Sequence, residues 1–348
     1  MYRSLPVLSM LLALIMSCSQ SAGSYVLEGM NELRDEQKEL ITLLNSGPHN
    51  REERFALMNR IATNLATENR KEALILFLTN EVELRPEDPY NAYWLLMVAH
   101  TYLEDNAPEM AGYYFKRILE KCPDLQLHGQ SIHLVSLQNL IRITDSPGLL
   151  VRYYSDMITR FSDEVDLGYT YFMLARSYEK LGEWELAIQT YTQFLGYGRF
   201  GIVIPGIHDS YEYAKRLVDY NSSSKDWTFE TLDELVQSIK KAINTYDHRS
   251  LERYRAKVSF FAMSWKQDSN DVNAEADFRM RDFMGGNRIR YDEELDASSN
   301  PNEAYLRTRG WNQYVSVWYL YFRKVNFPAD PDIHGRWEWA GIYYGEKL

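Results

Sequence analysis

Few residues in this chain stand at spacings suited to chemistry. Its seven histidines are scattered, and His128 and His133 lack the three intervening residues that set two imidazoles on one helix face to grip zinc. No metal or cofactor is therefore expected. Asp330, Asp332 and His334 bring donors close together, but Pro331 and the missing calcium-loop glycine pattern favour a solvated hairpin. Asp292, Glu293, Glu294 and Asp296 make an acidic cluster, and Glu338 lies between Trp337 and Trp339. Carboxylates beside tryptophan can carry out glycosidic chemistry. Acids are also common on exposed strand edges, so no catalytic residue is assigned and the chain is not read as an enzyme. It contains no phosphate loop, dinucleotide fingerprint or nucleophile elbow, and Gly285 and Gly286 read as a turn.

The remaining reactive groups are two thiols. Cys18 follows a start with one positive charge, Arg3, and an apolar run over 5–16 that is too short to span a bilayer as a stable helix. Leu14, Ile15, Met16 and Ser17 precede it, and this junction resembles a bacterial lipobox. The resemblance implies that the signal, 1–17, is removed and that Cys18 becomes the acylated first residue, carrying palmitate-type chains. Each buried methylene contributes about 0.8 kcal/mol, so two or three chains hold a protein on a membrane effectively permanently. The expected location is the cell envelope, facing the periplasm or the cell surface. Cys122 is left without an intrachain partner, so stability must come from packing rather than from disulfides.

Composition limits the rest. The chain carries 38 basic and 49 acidic residues, a net charge of −11, and no basic run of the kind that grips nucleic acid. Twenty-six tyrosines and 8 tryptophans suit packed repeat interfaces or polar binding surfaces. After the signal there is no second stretch apolar enough to span a membrane.

Internal periodicity organises the first two thirds. Leu95, Val98, Ala99, Tyr102, Ala111, Phe115, Ile118 and Pro123 recur as Tyr171, Leu174, Ala175, Tyr178, Gly182, Ala187, Tyr191 and Phe194. Met58, Ile61, Ala62, Leu65, Leu74, Leu78 and Pro86 make a further copy, and Leu134, Leu137, Ile141, Leu150, Tyr154 and Met157 make another. The equivalent positions Leu74, Ala111, Leu150 and Ala187 are 37, 39 and 37 residues apart. This pattern is similar to that of tetratricopeptide repeats, paired antiparallel helices with a period of about 34 residues. Gly182 falls where a helix ends in a left-handed conformation. Small residues at Ala62, Ala99 and Ala175 allow close helix approach, whereas Gln138 stands at that position in the third copy. The expected organisation is a tether and capping helix over 18–53, a repeat array with a trailing helix over 54–220, and a separate domain over 221–348.

The polar run 221–225 marks the change of pattern. Leu232, Leu235, Val236, Ile239, Ala242 and Ile243 are spaced for one helix face, and a second helix is predicted over 250–256. Aromatic and β-branched runs predict strands over 258–265, 287–291, 314–325 and 335–344. The fold class is thus mainly α, a repeat superhelix followed by a smaller α+β domain. Two helices with Asp247 between them, followed by an aromatic strand leading to Trp265, distantly resemble the cone-shaped folds related to nuclear transport factor 2.

In tetratricopeptide proteins the first helix of each unit lines the concave face. Here that resemblance assigns partner binding to Tyr93, Leu96, His100, Ile132, Val135, Asn139, Arg142, Tyr169, Phe172 and Arg176. Asn139 and Arg176 match the polar anchors of relatives that clasp peptide carboxylates, while Leu96, His100 and Phe172 depart from them. The expected function is a membrane-anchored scaffold or adaptor for a protein or peptide partner. Alternatives are a lipoprotein that accompanies a TRAP-type transporter and handles a small hydrophobic ligand, a component of outer-membrane assembly, or an envelope hydrolase acting through the C-terminal domain.

Overall fold

The computed structural model describes residues 24–127, 129–198, 204–207, 209–267 and 279–347. Cys18 and the predicted signal, 1–17, lie outside them. The chain divides between Phe161 and Ser162 into two compact units.

The first unit begins with a short 3-10 turn, Ser24–Val26, and the helix Arg34–Asn45, within the predicted capping segment. Three helix pairs follow: Arg51–Thr67 with Lys71–Leu84, Asn91–Glu104 with Pro108–Lys121, and Ile132–Ile143 with Pro147–Arg160. Local chemistry starts several of them. Asn50 and Glu53 form a reciprocal capping box, the Ser131 hydroxyl accepts from Leu134 N–H, and Pro108 and Pro147 open their helices where no amide partner is needed. Met58, Ile61, Ala62, Leu65, Leu95, Val98, Ala99, Ala111, Phe115 and Ile118 are all buried, as the repeat spacing requires. Gln138 is exposed. The close approach in this region comes instead from Gly112, where a Cβ would stand 3.3 Å from the Ile143 side chain. A two-residue hairpin, β1 (Gln126–Leu127) with β2 (Gln130–Ser131), precedes the third pair and is not foreseen by the repeat pattern.

The second unit opens with the fourth pair, Leu167–Leu181 and Trp184–Leu195, and the trailing helix Ser210–Ser222. Asp166 caps Tyr169 N–H, and Gly182 ends the first helix at φ +77°. The polar run 221–225 spans the end of the trailing helix and the bend after it, within the second unit. One hydrophobic core joins Phe172, Tyr191, Phe194, Leu217 and Tyr220 with Trp227, Val258, Val325 and Phe327. Two helices then follow, Leu232–Asn244, with a Thr231 and Glu234 capping box, and His248–Tyr254, capped by Asp247.

The mixed sheet runs β3 (Phe261–Ser264), β7 (Trp337–Tyr344), β6 (Val317–Lys324), β5 (Glu303–Arg309) and β4 (Arg290–Tyr291) in spatial order. β3 is parallel to β7, and the other pairings are antiparallel. β5 and the short helix Met280–Met284 are absent from the predicted elements. β5 alternates Ala304, Leu306 and Thr308 with Glu303, Tyr305, Arg307 and Arg309, so half of it reads as polar loop. In β7, Tyr321 opposes Gly341 while Phe322 opposes Trp339, which leaves Ala340 as the extra residue of a bulge. The bulge changes the alternation, so Trp337, Trp339 and Ile342 share the core with Trp318, Leu320, Phe322 and the helix residues Leu235, Ile239 and Ile243.

Candidate functional site

In the first unit, the predicted partner-facing residues sit on two first helices that touch each other, Asn91–Glu104 and Ile132–Ile143. Burial divides them. Leu96, Ile132 and Asn139 are at most 9% exposed and form part of the interior, which corrects their assignment as contact residues. Tyr93 and Val135 are half-buried, and His100 and Arg142 are exposed.

Tyr93 packs on Phe55 and edge-on to Trp94, and its hydroxyl donates to Asn59 Oδ1 over 3.0 Å. It therefore links the first helices of two successive pairs while staying half-buried. Asn139 does not wait for a ligand, because its Nδ2 donates to Val135 O over 2.8 Å and its Oδ1 accepts from Arg142 Nη2 over 2.6 Å. Its role is to position Arg142. Although the residue as a whole is exposed, desolvation of its ring, followed by the Arg142 charge, lowers the His100 pKa, with Glu104 opposing. The shift disfavours the imidazolium form, and the ring stands edge-on to Phe115 at 5.9 Å. The two helices thus carry an imidazole, a guanidinium held by Asn139, a half-buried tyrosine and the apolar Val135. Such a surface can take an extended peptide through hydrogen bonds and one acidic group.

In the second unit the same helix face is filled. Phe172 is fully buried, its ring 5.7 Å from that of Tyr191 and 5.1 Å from that of Phe194. Arg176 donates to Glu179 Oε2 over 2.5 Å and to the Tyr213 hydroxyl over 3.1 Å, with its guanidinium 5.3 Å from the Tyr213 ring. Tyr213 in turn donates to Glu179 Oε1 over 2.6 Å. The trailing helix therefore engages Arg176 within the protein, although Arg176 and Tyr169 both stay half-exposed. Phe172 is thereby a packing residue rather than a contact residue, and Arg176 is half-exposed but already paired within the protein.

Among the carboxylates singled out for possible catalysis, Glu338, Asp292 and Asp330 each have separate partners within the protein. Glu338 is fully buried and accepts from Tyr220, from Trp227 Nε1 over 2.9 Å and from Arg323 Nε over 2.8 Å. Asp292 pairs with Arg309 and lies 3.7 Å from Arg307. Asp330 accepts from Asp332 N–H over 3.1 Å, and His334 Nδ1 accepts from Phe327 N–H over 3.2 Å, so this loop is tied as a turn. No group of three or more metal-binding side chains occurs among the described residues. Cys122 is half-buried, and burial pushes its thiol above the usual range, away from the reactive thiolate.

One feature has no local signature. A cleft of about 390 Å³ is lined by His49, Arg51, Arg54, Arg85, Pro86 and Asp88. Arg54 and Arg85 share Glu81 Oε2 there. The Glu81 and Arg85 pair is visible as an i,i+4 spacing, but Arg54 joins it only through folding.

The fold thus defines a chain of paired helices joined to a mixed-sheet domain. Neither protein-family models nor curated proteins give a match to this chain. Among the described residues, no helix is long and apolar enough to cross a membrane.

Proposed function

We propose that the chain is an exported lipoprotein, anchored through Cys18, and that its helix pairs are tetratricopeptide-type units holding a protein or peptide partner in the cell envelope. The reading assigns scaffolding rather than catalysis. What carries it is the accessible strip Tyr93, His100, Val135 and Arg142 on two adjoining first helices, while the other polar anchors of the pattern are spent inside the protein. Support for the repeat family lies in four successive helix pairs in the register of the sequence pattern. The order of two helices, a strand, a short helix and four further strands supports the distant likeness of the sheet domain to the cone-shaped folds.

A photocrosslinking residue placed at Arg142 in cells should capture a discrete partner. The same residue at exposed Tyr113, on the second helix of its pair, should not. Equal capture from both positions, or none from Arg142 and Tyr93 alike, would overturn the reading.

A further inference from the structure

The sheet face opposite the Trp318 core carries Tyr305, Tyr319, Tyr321 and Tyr343, with Trp265 laid over it. Trp265 stacks on Tyr343 at 4.2 Å and 9°, meets Tyr319 edge-on at 5.3 Å and donates Nε1–H to Gly345 O over 3.2 Å. Its ring is therefore fixed by contacts within the protein. The Tyr305 ring lies 5.8 Å from it at 43°, so the two rings form an angled wall.

An ammonium group already stands against that wall. Lys347 Nζ is 4.4 Å from the Tyr305 ring centre and 5.1 Å from that of Trp265, both within cation–π range. It donates to Ser298 Oγ and lies 4.0 Å from Asp296 Oδ1. Asp296 is held below the usual carboxylate range by the Ser298 hydroxyl and then the Ser298 backbone N–H, so it supplies a full negative charge. Glu303 adds its charge near Tyr305, whose own pKa is pushed up to about 12, mainly by burial. The opposing cation, Arg307, is paired with Glu346 and lies 3.7 Å from Asp292.

We infer that Trp265, Tyr305, Ser298 and Asp296 form a receptor site for a primary organic ammonium group, which Lys347 fills in the free chain. The hydroxyl and carboxylate acceptors favour N–H donors over a fully methylated nitrogen. Lys347 lies beyond β7, which ends at Tyr344, so its side chain can leave by rotation without breaking a strand pairing. Ordering so flexible a side chain costs rotamer entropy, which lowers the net worth of the internal contact against which a ligand competes. This surface has its own chemistry and does not depend on the partner-binding strip.

The test titrates the full chain and its Lys347→Ala variant with two soluble amines, Nα-acetyl-lysine amide for a peptide side chain and phosphoethanolamine for a lipid headgroup. Tetramethylammonium serves as the control, and calorimetry gives the readout. Removing Lys347 should tighten binding of at least one primary amine by tenfold or more, with tetramethylammonium weaker. The tighter of the two amines identifies the source. Trp265→Ala or Asp296→Asn, added to Lys347→Ala, should abolish binding, with thermal melts confirming that the variants are folded. Should Lys347→Ala bind neither primary amine saturably, or should folded Asp296→Asn and Trp265→Ala combinations bind as well as Lys347→Ala alone, the site is refuted.

Discussion

The Tyr220 hydroxyl donates to Glu338 Oε1 over 2.7 Å, although 118 residues separate the two in the chain. Glu338 also receives Trp227 Nε1–H and Arg323 Nε–H, so a fully buried carboxylate ties the trailing helix to the central strands of the sheet. Burial and the Glu338 charge raise the Tyr220 pKa, keeping the phenol protonated as the donor. Glu338→Ala would strand the Arg323 charge in a poorly solvated site and should cost about 3–5 kcal/mol. Tyr220→Phe, which removes one hydrogen bond to a charged acceptor, should cost about 1.5–3 kcal/mol. Urea unfolding of both variants checks this order, and equal losses would mean that Arg323 finds another counter-charge.

His133 should make the stability of the first unit depend on mild acid. It is buried, Nε2–H donates to Cys122 O over 3.0 Å, and Nδ1 accepts from Arg160 Nη2. Burial first, then the Arg160 charge, lowers its pKa, while Asp124 opposes the shift. Below the ordinary histidine value of about 6.5 the unfolded chain takes up a proton that the folded chain refuses. The contribution of neutral His133 is therefore complete above that pH and is lost as pH falls through the window toward its lower folded pKa. His100 shifts in the same direction. Denaturation midpoints at pH 7.5 and 5.5 should converge in His133→Gln relative to the parent, and an unchanged difference would remove His133 as the source.

The fourth helix pair can be tested through its two special positions. Ala175 is fully buried, so Ala175→Trp should overpack the core and cost about 1–3 kcal/mol. Gly182 has φ +77°, and Gly182→Val should cost about 1–2 kcal/mol or more through backbone strain alone, since nothing crowds its Cβ position. Melting curves that match the parent would contradict these placements.

Phe172 and Arg142 should separate stability from binding. Phe172→Ala should cost about 3–5 kcal/mol and alter partner capture only as far as it unfolds the chain. Arg142→Glu, on an exposed position, should leave the melt within about 0.5 kcal/mol and reduce partner affinity more than tenfold. Asn139→Ala should give an intermediate loss by freeing Arg142 from its hydrogen bond. Crosslinking yields and thermal melts on the same variants decide the matter.

Cys18→Ala should abolish acyl labelling and either release the exported chain from membranes or leave an unprocessed precursor. Labelling that persists in this variant would place the lipid elsewhere.

The helix pairs were legible in the sequence because their causes are local. Apolar residues three and four apart define one buried face, Asn50, Ser131 and Asp166 supply caps, and Gly182 supplies the left-handed stop, all within a few residues of the structure they specify. Whether a face is then covered is not a local property. Phe172 and Tyr93 look alike as aromatic residues on first helices, yet Phe172 is sealed against Tyr191 and Phe194 while Tyr93 stays half-exposed. Tyr213 engages Arg176 from 37 residues away, and no spacing rule joins them. The parallel pairing of β3 with β7, the bulge at Ala340 and the polar-looking strand β5 likewise follow from which distant strands can share hydrogen bonds over a common core. Tertiary structure alone decided which carboxylates became buried anchors and which cations remained available. Desolvation and pairing depend on neighbours that the chain supplies only after it has folded.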